Sequence, residues 1–181
     1  MDKPSAQYHL VKNKGRFRNA LLKWFQVNAK SYPWRETVDP WAILVSEIML
    51  QQTTVASVLA NHRFERFLQE FPNIEAIADA PEEKLLRAWE GLGYYNRVRN
   101  LQKAAQTVLD NYEGRFPSDP KALETLPGIG RYTAGAVSSF AFDRPAPIVD
   151  GNIARVLSRL LDYHKEVDST EGQKVIWNTA T

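Results

Sequence analysis

Apolar residues recur at three- and four-residue spacing along most of the chain, which is the pattern of amphipathic helices. The first such stripe contains Phe17, Leu21, Leu22, Trp24 and Phe25. Apolar spacing and capping signals predict further helices over residues 41–60, 64–70, 74–78, 82–90, 98–112, 119–126, 131–142 and 150–161, and from 170 onward. No segment alternates apolar and polar residues convincingly, so the sequence predicts an all-α fold.

Length and composition exclude several classes of protein. The chain has 181 residues and a formal net charge of +2, which fits one domain or two small lobes with a hydrophobic core. It has no cysteine, which excludes a disulfide scaffold, a zinc site built from thiolates and a cysteine nucleophile. The three histidines are far apart, so we expect no metal site. No apolar run approaches the ~20 residues that span a bilayer, and the N-terminus has no apolar signal core. We therefore expect an intracellular protein without a membrane partner.

A glutamate lies within a strongly apolar predicted helix. Residues 41–50 read WAILVSEIML, and a helix that is apolar on every side is buried. Burial disfavours the charged form of Glu47 and raises its pKa, as in a general acid that holds its proton near neutral pH. The alternative is a structural carboxylate paired with an arginine such as Arg97 or Arg99.

The segment LPGIG (126–130) joins two predicted helices. Gly128 and Gly130 allow a turn with positive φ, and the helix that follows begins with unpaired N–H groups that suit one DNA phosphate. Arg131 adds a positive charge beside them. An ordinary turn between two helices explains the glycines equally well.

Asp150 follows an extended, proline-containing segment and precedes a predicted helix. Aspartate is a preferred N-cap, and capping alone explains most aspartates at such positions. The helix N-terminus also stabilises a carboxylate, which predicts that Asp150 is ionised while Glu47 is protonated. Two carboxyl groups with separated pKa values suit the cleavage of a glycosidic bond.

Several motifs together carry a family resemblance. LPGIGRYTAGA followed by PIVDGN resembles the helix-hairpin-helix superfamily of base-excision glycosylases. YPWR (32–35), SEIMLQQTTV (46–55) and GLGYYNRVRN (91–100) resemble, more narrowly, the MutY-type A/G-specific adenine DNA glycosylases. The motifs follow the order of that family over most of the chain.

The resemblance implies a monomer that binds double-stranded DNA and removes adenine mispaired with 8-oxoguanine or guanine. By this resemblance Glu47 is the acid/base that protonates adenine at N7 and handles the attacking water. Asp150 is the carboxylate that stabilises the oxocarbenium ion, and Tyr132 and Asn152 support that transition state. Endonuclease III-like relatives place a lysine nucleophile where this chain has Tyr132, so we expect a monofunctional glycosylase.

The resemblance also implies contacts with DNA. Gln52 and Tyr94 match groups that enter the base stack when the adenine is flipped out, a step that the buried scissile bond requires. Basic residues that suit a surface along the DNA backbone are Arg97, Arg99, Lys103, Arg131, Arg155 and Arg159.

The family also has features that this sequence lacks. Its members carry four cysteines that bind a [4Fe–4S] cluster and a C-terminal domain that recognises 8-oxoguanine, and this chain has neither the cysteines nor that domain. We expect a six-helix barrel over 31–142, with the hairpin at about 119–141, and a second, incomplete lobe made of 1–30 and 143–181. Glu47 and Asp150 are expected on opposite walls of the cleft between them.

Two other functions remain open. A helix-hairpin-helix module that only binds DNA would account for the hairpin, but not for a glutamate in an apolar helix. An endonuclease III-like pyrimidine glycosylase/lyase would share most of the motifs.

Overall fold

The computed structural model describes residues 14–181, and within this range the chain is helical with no β-strand. The prediction of an all-α fold is confirmed. The helices are α1 (Lys14–Asn28), α2 (Pro40–Leu50), α3 (Val55–Leu59), α4 (Arg63–Glu70), α5 (Ile74–Ala78), α6 (Glu82–Ala88), α7 (Asn96–Tyr112), α8 (Pro120–Leu123), α9 (Arg131–Phe142), α10 (Gly151–Leu160) and α11 (Thr170–Ala180). Two short 3₁₀ turns cover Pro33–Arg35 and Ala60–His62.

The chain divides into two compact units. The larger unit is Tyr32–Ile148, and the smaller unit joins the described residues up to Ser31 with Val149–Thr181. The description of the larger unit as a six-helix barrel stays a prediction.

The core of the larger unit surrounds α2, which packs against α9, α7 and α4. Nine consecutive residues of α2, from Trp41 to Met49, are buried, as the apolar run predicted. The helix begins as the sequence indicated: Asp39 is its N-cap and accepts hydrogen bonds from the amides of Trp41 and Ala42, and Pro40 occupies its first turn.

The smaller unit has a core of its own between α10 and α11. Ala154, Leu161, Tyr163 and Ile176 form it. None of the residues of α1 is buried among the described residues, and Leu22 and Trp24 are each 60% exposed. The predicted first helix is therefore present, with its large apolar side chains at the surface.

Two predicted helices end three or more residues early in the structure. The helix predicted over 41–60 ends at Leu50, and α3 begins only at Val55. Between them Gln52 has φ +53°, a left-handed conformation that interrupts a helix, and Thr54 caps α3 through its hydroxyl. The helix predicted over 119–126 ends at Leu123 and is followed by turns.

Candidate functional site

Glu47 lies in the last two turns of α2 with its side chain 3% exposed. Its Oε1 atom lies 3.7 Å from Nη2 of Arg35 and has no hydrogen-bond partner among the described residues. Burial raises the pKa of Glu47 above its ordinary value of 4.5, and the positive charge of Arg35 opposes part of that rise. A buried carboxyl group of this kind holds its proton at a higher pH than an exposed one, as a general acid requires.

Arg35 is the residue that sequence reasoning missed. It closes the 3₁₀ turn Pro33–Arg35, and its guanidinium carbon lies 3.9 Å from the ring centroid of Phe140 in α9. Stacking on an aromatic ring holds an arginine at a fixed place while part of it stays in solvent. The signal available in the sequence is the YPWR motif, which contains Arg35. The arginines considered as partners for Glu47 have other contacts: Arg97 binds backbone carbonyls and Arg99 pairs with Glu82 at 2.7 Å.

Asp150 belongs to the smaller unit and caps α10. One carboxylate oxygen accepts a hydrogen bond from the amide of Ile153 at 2.7 Å, and the other accepts one from Nδ2 of Asn152 at 3.2 Å. Asn152 in turn accepts a hydrogen bond from Nη2 of Arg155 at 2.8 Å. The structure thus joins the predicted pair Asp150 and Asn152 at the start of one helix, where amide donors favour negative charge. Glu47 lies in the other unit, and the meeting of the two carboxyl groups at one nucleoside stays a prediction.

The hairpin between α8 and α9 contains the predicted tight turn. Gly128 has φ +76°, and a Cβ atom at this position would lie 2.7 Å from Cβ of Asn100. Gly130 has φ −92° and is the N-cap of α9, so a left-handed conformation is confirmed for Gly128 and wrong for Gly130. No side chain caps α9, and Arg131 is exposed in its first turn while Tyr132 is half-buried. The binding of a phosphate at this helix N-terminus stays a prediction.

Gln52 and Tyr94 line one surface concavity of about 440 Å³, although they are far apart in the sequence. Both have a left-handed backbone, with φ +53° and +46°, and Tyr94 is 64% exposed. The concavity is completed by Tyr95, Asn96 and parts of Arg97 and Arg99. The structure therefore brings together the two side chains expected to enter the base stack.

Arg97 lies elsewhere than the sequence suggested. Only 8% of it is exposed, and its guanidinium donates to backbone carbonyls on two sides. Burial lowers the pKa of Arg97, and Tyr94 opposes that effect. Because both terminal nitrogens of this buried guanidinium donate to backbone carbonyls, Arg97 is not suited to bind a DNA phosphate.

The residues of this chain do not provide a site for an iron–sulfur cluster. The sequence contains no cysteine, and thiolates are the ligands that such clusters require. Among residues 14–181, no group of three or more histidine, aspartate or glutamate side chains is arranged to hold a metal ion. In the same range, no helix is long and apolar enough to cross a membrane.

One segment of the chain matches a known protein family, and it contains both the glycine turn before α9 and the aspartate that caps α10. Residues 45–178 match the HhH-GPD superfamily of base excision DNA repair proteins, and the chain belongs to this family. Within it, the chain is 39% identical to the adenine DNA glycosylase of Mus musculus over 96% of this chain and 36% of that protein. It is 44% identical to the adenine DNA glycosylase of Mycobacterium tuberculosis over 77% of this chain and 45% of that protein.

A solved structure supports the same fold. A thermostable thymine-DNA glycosylase superposes with a TM-score of 0.82 at 30% identity, covering 93% of this chain and 77% of that one. The chain spans less than half the length of the curated adenine DNA glycosylases that it matches.

Proposed function

We propose that this chain is the helical core of a DNA glycosylase that hydrolyses the N-glycosidic bond of adenine mispaired with 8-oxoguanine or guanine. The observation that carries the proposal is Glu47: a carboxyl group buried in an apolar helix, with an unpartnered Oε1 and a raised pKa, next to one arginine. The identity with adenine DNA glycosylases supports adenine as the base removed. The proposed partner is double-stranded DNA, bound by a monomer inside the cell.

In the first step the bond between C1′ of the deoxyribose and N9 of adenine breaks. Its electron pair leaves with the adenine, and Glu47 donates its proton to N7, so the base departs neutral. Arg35 then lies beside the new carboxylate of Glu47 and stabilises its charge. The sugar is left as an oxocarbenium ion.

In the second step a water molecule adds to C1′ and the carboxylate of Glu47 accepts its proton, which restores the starting acid. The negative charge of Asp150 stabilises the oxocarbenium ion between the two steps. The amide of Asn152 holds one oxygen of Asp150, and Tyr132 is proposed to support the same transition state. Because Tyr132 carries a phenol rather than an amine, no Schiff base forms at C1′ and we propose a monofunctional enzyme.

Contacts with DNA are proposed for two groups of residues. Gln52 and Tyr94 fill the space that the extrahelical adenine leaves, which offsets part of the unstacking cost. The turn at Gly128 and Gly130, with Arg131, holds a backbone phosphate at the N-terminus of α9.

The test compares the unchanged chain with Glu47→Gln on a duplex that contains A opposite 8-oxoguanine. We expect the variant to lose adenine release by a factor of about a hundred or more while its affinity for the duplex is retained. A module that only binds DNA would release no adenine in either form. Borohydride trapping of a covalent protein–DNA adduct by the unchanged chain would contradict the monofunctional assignment.

A further inference from the structure

The end of α2 is the first of two backbone segments that depend on Arg97. Carbonyl groups in the last turn of a helix have no partner within the helix. Nη1 of Arg97 donates to the carbonyls of Ile48 and Met49, each at 2.9 Å, and to that of Gln51. The next residue is Gln52, in its left-handed conformation. The guanidinium of Arg97 therefore fixes the direction in which the chain leaves α2.

The turn that carries Tyr94 is the second segment. Nη2 of the same guanidinium donates to the carbonyl of Leu92 at 2.7 Å and to that of Gly93 at 3.0 Å. The carbonyl of Gly93 also accepts a hydrogen bond from Nε1 of Trp89. The guanidinium carbon lies 5.4 Å from the ring of Trp89 and 5.7 Å from the ring of Tyr94. The backbone that leads to Tyr94 is therefore hydrogen-bonded to a buried cation.

These contacts are specific to arginine. Its planar fork presents two donor edges at a fixed separation, and here one nitrogen serves each segment. A lysine ammonium is a single point charge and can serve only one of the two sets of carbonyls. A cation that is only 8% exposed also needs those carbonyls, because they offset the cost of its burial.

We propose that Arg97 is a positioning residue for base flipping: one buried guanidinium fixes Gln52 and Tyr94 relative to each other, so that both enter the duplex together. The inference rests on the proposed function and deepens it. Arg97 itself contacts neither DNA nor adenine. It acts through the two turns, and its loss should therefore affect the extrusion of the adenine more than the cleavage of its glycosidic bond.

The experiment uses Arg97→Lys in the full chain, with Arg87→Lys on the exposed face of α6 as the matched control. Adenine release is measured in single turnovers on a duplex with A opposite 8-oxoguanine and on a duplex whose adenine is an unpaired bulge. A base without a partner costs less to extrude. Each rate is divided by that of the unchanged chain on the same substrate. Fluorescence of 2-aminopurine at the target position measures extrusion without requiring cleavage.

We expect Arg97→Lys to lose about tenfold or more on the mispair and less than about threefold on the bulge. We also expect a smaller rise in 2-aminopurine fluorescence. The control should keep both rates. Tyr94→Ala should show the same selective loss, and the double variant should lose less than the sum of the two free energies, because both changes remove one function.

Equal loss on both substrates would overturn the inference, because that is the result of a merely weakened fold. So would an unchanged rate or an undiminished fluorescence rise on the mispair. If the unchanged chain releases no adenine from either duplex, the proposed function fails. The fluorescence comparison then still decides whether Arg97 governs extrusion.

Discussion

Replacing Arg35 by glutamine should change both the rate and the pH dependence of adenine release. The substitution removes the positive charge that lies 3.7 Å from Oε1 of Glu47 and leaves a shorter, uncharged polar side chain. Without that charge the carboxylate of Glu47 is less stable, so the pKa of Glu47 rises further above its ordinary value. Glu47 becomes a weaker acid that keeps its proton to a higher pH.

The separation sets the size of the effect. Two unit charges about 4 Å apart attract each other by roughly 1 kcal/mol in water and roughly 4 kcal/mol at an effective dielectric constant near 20. The side chain of Arg35 is 36% exposed, so solvent screens the pair, and we expect an attraction of about 1 to 2 kcal/mol between Arg35 and the carboxylate of Glu47. If the whole of this stabilisation is present in the transition state, its loss slows adenine release by about tenfold.

The assay is single-turnover adenine release between about pH 5 and about pH 9 with Arg35→Gln, Arg35→Lys and the unchanged chain. Release by protonated Glu47 falls as pH rises through the pKa of Glu47. In Arg35→Gln this fall should occur at higher pH and start from a lower plateau. Arg35→Lys keeps the charge and should leave the position of the fall nearly unchanged. A fall displaced to lower pH, or a plateau as high as that of the unchanged chain, would show that Arg35 does not act through the charge of Glu47.

Three further predictions concern stability and capping. Glu47→Gln should raise the free energy of unfolding, and the gain should grow between pH 4.5 and the raised pKa of Glu47. Over that pH range the folded unchanged chain keeps a proton on Glu47 that the unfolded chain releases, so its stability falls as the pH rises. Urea unfolding at several pH values measures the difference. Gly128→Ala should cost about 1 to 3 kcal/mol in thermal unfolding, since it combines φ +76° with a contact of 2.7 Å, whereas Gly130→Ala, with no atom within 4 Å, should cost about 1 kcal/mol or less. Asp150→Ser keeps an N-cap and removes the charge, so adenine release should fall while the melting temperature changes little. Asp150→Ala should lower both adenine release and stability, the latter by about 1 kcal/mol. Equal activity of Asp150→Ser and the unchanged chain would contradict the proposed role of the charge.

The sequence predicted the helices that begin and end with local signals. Asp39 and Pro40 marked the start of α2 because an N-cap and a first-turn proline act within a few residues. At the break around Gln52 the only local signal is Thr54, the N-cap of α3, because neither glycine nor proline occurs between α2 and α3. The carbonyls before that break are held by Arg97, 46 to 49 residues further along the chain, and a tertiary contact of this kind leaves no local pattern.

The candidate site was predictable to a similar extent. Burial of Glu47 followed from the apolar residues around it, because a helix without a polar face has to be surrounded by protein. The partner of Glu47 did not follow, since Arg35 lies on a separate 3₁₀ turn and depends on Phe140 for its place. The spacing of the arginines does not distinguish Arg97, which is buried, from Arg131, which is exposed.

The positions of Glu47 and Gln52 on either side of the end of α2 explain why chemistry and base flipping should be separable by mutation. Glu47 lies inside the helix, which the packing of α7 and α9 holds along its length. Gln52 lies beyond the last turn, and its backbone depends on the contacts of Arg97 with the carbonyls that precede it. A change at Arg97 should therefore displace the backbone at Gln52 more than it displaces the side chain of Glu47. Conversely, a change at Arg35 alters the charge of Glu47 without touching the turn at Gln52. The Arg35 variant should therefore lose activity on both substrates, and the Arg97 variant mainly on the mispair.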